Sequence, residues 1–195
     1  MKYNALFEQF KNKNILVIGD VMLDSYVLGK VNRISPEAPV PIISLDKTEN
    51  RIGGAGNVAL NLKYLGANPI IASVIGEDAE GKTLSALFDK REIATDGLIV
   101  SSKRKTTVKT RVISSKQQLL RIDSEDTHPL NPSHEKELLS KIESLLKEHI
   151  DAVILEDYDK GVLGSNSIQK IISMSQDMDI PITADPKKDN FQKFC

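Results

Sequence analysis

The sequence predicts an α/β fold, a doubly wound and mostly parallel sheet with helices on both faces and a small projecting β lid. Three observations predict it. Short runs nearly continuous in Val, Ile, Leu and Ala recur along the chain, as expected for strands covered on both faces. Longer stretches with helical period separate them, and strand, helix, strand, helix is the pattern of a right-handed parallel sheet. Two further stretches break this rhythm and read as a separate, smaller sheet.

In chain order, Asn14 to Gly19 (NILVIG) is the first apolar run. Val21 to Leu45 carries two strand-like pieces, DSYVLGKV and VPIISL, around the Pro-rich turn Ser35-Pro36-Glu37-Ala38-Pro39. Gly56 to Leu65 is a helix with Val58, Leu62 and Leu65 on one face, and Gly66 suits its C-terminal cap. Pro69 to Gly76 (PIIASVIG) is the second apolar run. Gly97 to Asp123, with TTVKTRVIS and QQLLRID, supplies more strands for the smaller sheet. A helix opens at Asn131 as N-cap with Pro132 at its first position, and Leu138, Leu139, Ile142, Leu145 and Leu146 form its apolar stripe. Ala152 to Leu155 is a third run, Ser165 to about Met178 a helix with Ile168, Ile171 and Ile172 inward, and Ile180 to Ala184 the last strand. The lid is thus expected from about 21–50 and 97–123, within one domain spanning 1–195.

The 195 residues are 40% hydrophobic and 27% charged, a globular composition sized for about one domain. Lys and Arg number 26 against 27 Asp and Glu, so a formal net charge of -1 removes bulk basicity as an argument for nucleic acid or an anionic membrane. The start, MKYNALFEQFKNKN, lacks a signal-peptide core, and no apolar run approaches the roughly 18 residues of a membrane span. A cytoplasmic protein is expected. The single cysteine, Cys195, allows neither an intrachain disulfide nor a zinc-ligand spacing. His128, His134 and His149 lie in or beside one charged helix and read as solvated surface.

In open α/β sheets ligands gather at the carboxyl ends of the strands. Four runs deliver acids there: Asp20 after the first, Glu77 and Asp78 after the second, Glu156 and Asp157 after the third, Asp185 after the last, with Lys187 close behind. They either cap the following helices or mark a site, because like charges crowded at one edge are costly unless something uses them. Ile52-Gly53-Gly54-Ala55-Gly56-Asn57 opens a helix, where glycines let backbone N–H groups approach a ligand. It is no Walker loop, although Gly54-x-Gly56-x-x-Ala59 satisfies a loose dinucleotide fingerprint with Glu77 and Asp78 about 20 residues on. Against that stands the preceding DKTENRI, too charged for a buried strand. From Ser102 to Arg121, seven basic residues occur with no acid among them. They read either as a lysine-protected edge strand or as a phosphate-binding face, since alternation puts Lys109 and Arg111 on one side. Nucleic acid is disfavoured, as the stretch has no aromatic residue for stacking.

The segments GDVMLDSYVLG, RISPEAPVPI, GGAGNVALNLKYLGA, IGEDAEGK, KTRVISSKQQLLRID, EDYDKGVL and ADPKKDNFQKF together resemble the ribokinase-like (PfkB) sugar kinases. Within them the chain looks most like the D-glycero-β-D-manno-heptose 7-phosphate 1-kinases that serve ADP-heptose and lipopolysaccharide core precursor synthesis. The resemblance covers essentially the whole chain. It implies an ATP- and Mg2+-dependent kinase and a β lid that mediates a homodimer. It implies that Asp24 hydrogen-bonds sugar hydroxyls, that Gly53, Gly54 and Asn57 close on the same sugar, and that Lys109 and Arg111 meet its phosphate. Asp157, Lys160, Asp185 and Lys187 match strand-end motifs near the phosphoryl-transfer region, which implies that Asp157 and Lys160 contact substrate and that Asp185 and Lys187 lie near the phosphate and nucleotide.

Two departures accompany the match. Asp159 stands where the family motif DYGKG has glycine, a place Asp tolerates at positive φ. The family's NxxE segment and GAGD-type motif, which supplies the general base, do not occur before Cys195. The expectation is therefore the N-terminal, sugar-binding portion of a kinase with no catalytic base or metal ligand of its own, inactive alone. The other readings are a noncatalytic, dimerising binding fragment and a dinucleotide-dependent oxidoreductase.

Overall fold

The computed structural model describes residues 7–194, so Cys195 and the first six residues of the segment MKYNALFEQFKNKN lie outside the described residues. Two sheets organise the chain. The larger has five strands: β1 (Asn14–Gly19), β4 (Asn68–Gly76), β5 (Ala94–Ser101), β8 (Ala152–Glu156) and β9 (Ile182–Asp185). They run in the order β5-β4-β1-β8-β9, and every pairing is parallel. The smaller sheet, in the order β3-β2-β6-β7, combines β2 (Val21–Ile34), β3 (Pro41–Gly54), β6 (Val108–Ser114) and β7 (Gln117–Ser124). Only β2 and β6 pair in parallel there; the two outer pairings are hairpins. The β6–β7 turn places Ser115 at φ 48° and Lys116 at φ 69°, the geometry that matches a hairpin's twist.

Helices cover the larger sheet on both sides, and alternate residues of β1 show the division. Val17 packs with Ile71, Ile75, Ala59, Leu84 and Phe88, beneath α1 (Ala55–Tyr64) and α2 (Ala79–Lys90). Leu16 and Ile18 pack with Leu138, Ile142, Ile168 and Ile171, beneath α3 (Pro132–Leu146) and α4 (Ser165–Asp177). The helix ends are chemically marked. Asn131 accepts from the His134 N–H ahead of Pro132, Asp78 accepts from the Gly81 N–H, and Gly66 follows α1 at φ 92°. A 3₁₀ segment, Lys188–Phe194, follows β9.

One boundary is corrected. Residues 97–101, expected in the lid, belong to β5 and close the larger sheet beside β4. The reason is burial: Gly97, Ile99 and Ser101 face inward, and Ile99 joins the core beside Val74. From the other expected lid stretches, residues 21–34, 41–54, 108–114 and 117–124 form the second sheet. Among the described residues, no helix is long and apolar enough to cross a membrane.

Candidate functional site

The lid grows directly out of the body. A single residue, Asp20, separates β1 from β2, so the carboxyl end of the central strand and the root of the lid coincide. Asp20 is buried, and its carboxylate accepts N–H bonds from Tyr158 (2.9 Å), Lys160 (3.0 Å) and Val162 (3.1 Å). Burial pushes this carboxyl up, against the pull of those three donors. The residue therefore fixes the loop after β8 against the first strand.

Above that root lies a cleft of about 510 Å³ between the lid and the N-terminus of α1. The register aligns its lining. Asp24 on β2 stands opposite Arg51 on β3 and Lys109 on β6, while Tyr26 stands opposite Arg111, which in turn stands opposite Arg121 on β7. Paired residues share a face of a sheet, so all six side chains point to one side. Gly53 is demanded by this arrangement, since a Cβ there would come within 2.6 Å of the Asp24 Oδ2. Gly54, at φ 59°, turns the chain into α1, whose N-terminus presents Asn57 at the cleft.

Four cations, Arg51, Lys109, Arg111 and Arg121, line the cleft, and each already has a carboxylate. Arg51 meets Glu49 at 2.9 Å, Lys109 meets Asp123 at 3.0 Å and Glu125 at 3.1 Å, and Arg121 meets Asp123 at 2.8 Å. Arg111 meets Asp24 at 2.5 Å. Hydrogen bonding to Arg121 holds Asp123 down at about 2. Burial pushes Glu125 up, yet hydrogen bonds from Lys160 and Lys109 outweigh it and leave the group below its usual range. The Tyr26 ring lies between two guanidiniums, Arg51 at 4.4 Å and Arg111 at 5.4 Å from its centroid.

The structure thus brings together Asp24, Gly53, Gly54, Asn57, Lys109 and Arg111 around one cleft. Lys160 lies one carboxylate away, bonding Glu125 at 2.8 Å beside Lys109. Asp157 points elsewhere: it is buried, accepts from Asp159 N–H and from the Asn190 side chain, and anchors the 3₁₀ segment. Asp159 adopts φ 57°, the positive value expected of a residue in glycine's place. Lys187 reaches the cleft wall indirectly, its Nζ 4.7 Å above the Tyr158 ring. Asp185 pairs in register with Glu156 at the end of β8, and burial together with Asp185 raises Glu156 to about 7 against the pull of Lys187.

The four strand ends do bring their six acids to one edge of the parallel sheet, but Asp20, Asp78 and Asp157 are engaged internally. Asp78 caps α2 and also accepts from the Thr106 N–H and hydroxyl. The dinucleotide reading loses its support here, because the glycines follow β3, a strand of the lid sheet, and its acid, Asp78, is occupied. Arg51, Arg121, Tyr26 and Tyr158 were not among the expected site residues. The register of a hairpin with two irregularities places the first, and spacing alone does not reveal it. Among the described residues no three His, Cys, Asp or Glu side chains are placed to hold a metal ion.

Comparison with known proteins agrees with this architecture. A family model described as "pfkB family carbohydrate kinase" matches residues 12–194. The chain is 42% identical over 184 residues to the bifunctional protein HldE of Aliarcobacter butzleri, covering 94% of the chain and 38% of that protein. It is 43% identical over 182 residues to the protein of the same name from Helicobacter pylori J99, covering 93% and 39%. The chain therefore spans less than two-fifths of the length of these curated relatives. Among solved structures, the tetrameric inhibited form of Escherichia coli phosphofructokinase-2 matches with a TM-score of 0.67 at 17% identity, over 94% of this chain and 57% of that one. Arabidopsis thaliana ribokinase, complexed with ribose and ATP, matches with a TM-score of 0.61 at 17% identity, over 89% and 53%. At such identity these two structures establish the fold.

Proposed function

The chain belongs to the pfkB family of carbohydrate kinases, and we propose that it is the sugar-phosphate-binding part of an ATP-dependent kinase acting on D-glycero-β-D-manno-heptose 7-phosphate. The observation that carries the reading is the cleft, where one carboxylate and four cations share a face of the lid beside a helix N-terminus. That combination suits a ligand with hydroxyls at one end and a phosphate at the other. The relatives named HldE favour the heptose over other sugars.

In this reading Asp24 accepts from sugar hydroxyls and Asn57 completes their hydrogen bonds. Lys109 and Arg111 bind the 7-phosphate with charge-assisted bonds, joined by Arg51 and Arg121. Lys160 tunes the same cluster through Glu125, while Asp157 holds the floor loop. Asp185 and Lys187 face the region where ATP would deliver its γ-phosphoryl to the anomeric oxygen, the hydroxyl proton leaving to a general base. In this reading the part played by these residues is to bind and orient the sugar phosphate. An ATP-dependent reaction fits a cytoplasmic protein. The exposed apolar residues on the opposite face of the lid, Leu120 and Ile122, fit a homodimer through that sheet.

Isothermal titration tests the reading. Heptose 7-phosphate should bind, and replacing both Lys109 and Arg111 by Ala should weaken it about 10- to 100-fold while unphosphorylated heptose loses much less. Asp24→Ala or Asn57→Ala should each cost about 1 to 3 kcal/mol of sugar affinity. Equal losses for both sugars, binding of NAD in place of sugar, or tight salt-sensitive DNA binding would overturn it.

A further inference from the structure

The four cations of the cleft are not equivalent, and the difference lies in where their counter-ions sit. Glu49, Asp123 and Glu125, which serve Arg51, Lys109 and Arg121, lie outside the set of residues lining the cleft. Those carboxylates can stay in place when an anion enters. Asp24 differs: among the described residues it is the one acid that lines the cleft, and its Oδ1 is 2.5 Å from Arg111 Nη1.

An entering phosphate therefore meets a carboxylate already bonded to one of its donors. Two anions on a single guanidinium in a part-buried cleft repel each other, and Asp24 lies close over Gly53, where a Cβ would come within 2.6 Å of its Oδ2. Arg111 is itself restrained, its guanidinium lying against the Tyr26 ring.

Resting on the sugar-phosphate reading above, we infer that Asp24 is a built-in competitor for the anion. It occupies Arg111 while the cleft is empty, and phosphate binding at Arg111 releases it to accept sugar hydroxyls. One guanidinium thereby couples the two ends of the ligand. A sugar without phosphate must break the Asp24–Arg111 pair with nothing to replace it, and a phosphate without sugar must displace a carboxylate that gains no new partner. The ligand carrying both groups satisfies Asp24 and Arg111 together, so the device selects phosphorylated over plain sugars beyond the attraction of the cations alone.

The probe is inorganic phosphate, titrated into the wild-type chain and into Asp24→Asn, which keeps the volume and removes the charge. Competition requires the variant to bind phosphate about three- to tenfold more tightly than wild type at low salt, with the gain shrinking as ionic strength rises. It also requires saturating phosphate to tighten wild-type binding of unphosphorylated heptose severalfold, and to leave the variant's affinity for heptose unchanged. Equal or weaker phosphate binding by Asp24→Asn would overturn the inference, because Asp24 would then orient Arg111 for the phosphate rather than compete with it. Absence of phosphate binding by both proteins overturns it equally, and absence of heptose 7-phosphate binding by the wild type overturns the reading beneath it. Circular dichroism of both proteins shows whether the variant retains the fold.

Discussion

The two sheets of this molecule are built from the same chain under different rules. In the larger sheet, the central strand β1 is parallel to both its neighbours and buried from Leu16 to Gly19, and its neighbour β4 is buried from Ile71 to Gly76. In the lid, every residue of β7 from Gln117 to Ser124 is exposed, and β3 is mostly so until Ile52 brings it back to the core. Body strands are held by apolar burial on two faces, whereas lid strands are held by backbone pairing and by ion pairs across one face. Stability is therefore expected to concentrate in the body and, in the proposed reading, ligand binding in the lid, and substitutions in the two regions should separate the two properties.

The largest expected effect is in the body. Phe88, on α2, is fully buried and packs where a Cβ on Gly56 of α1 would touch it at 3.0 Å. Phe88→Ala should cost about 3 to 5 kcal/mol, read from urea denaturation, and a loss below 1 kcal/mol would erase the distinction between regions. Next comes the junction: Asp20→Ala strips three N–H groups, one buried and two part-buried, of their acceptor and should cost about 2 to 3 kcal/mol. Hydrogen exchange should localise the change to residues 158–162, and protection there equal to wild type would show that the loop holds without Asp20.

A smaller effect depends on pH. Glu156 has its folded value raised to about 7 from an ordinary 4.5. The folded protein thus binds this proton more tightly than the unfolded chain, and stability falls as pH rises from about 4.5 through 7. Glu156→Gln should match wild type near pH 4 and exceed it at pH 8 by on the order of 1 kcal/mol. A constant difference in melting temperature across that range would remove the burial argument. The smallest effect belongs to the lid. Leu120→Ala with Ile122→Ala should change monomer stability by less than about 0.5 kcal/mol per site, since these residues are 47% and 56% exposed. The same pair should shift sedimentation toward monomer if the lid joins two copies.

The body was legible because burial on two faces writes a continuous apolar run. Asn14 to Gly19 was read to the residue, and the run at Pro69 began one residue late. Strand β5 escaped because ATDGLIVS carries polar residues and a glycine at an edge position, which look like lid. Helix α2 escaped too, although Asp78 with Gly81 and the spacing of Leu84, Leu87 and Phe88 carry its signal. At the site, the expected glycines, Asp24, Asn57, Lys109 and Arg111 converge because they lie near the roots of strands that register fixes. The acids facing those cations were invisible: Asp123 and Glu125 lie beyond the stretch that looked purely basic, and only the β6–β7 hairpin folds them back.

In the sugar-phosphate reading, pairing every cleft cation with its own carboxylate would also govern how the ligand arrives. A cation and an anion about 3 Å apart form a dipole, whose field decays faster than that of a lone charge and is further screened beyond about 10 Å at ordinary ionic strength. The chain's net charge of -1 adds no long-range pull on a phosphate. Capture is therefore a collision without electrostatic guidance, and its association rate should change little with salt. Discrimination among ligands then resides in how slowly the right one leaves.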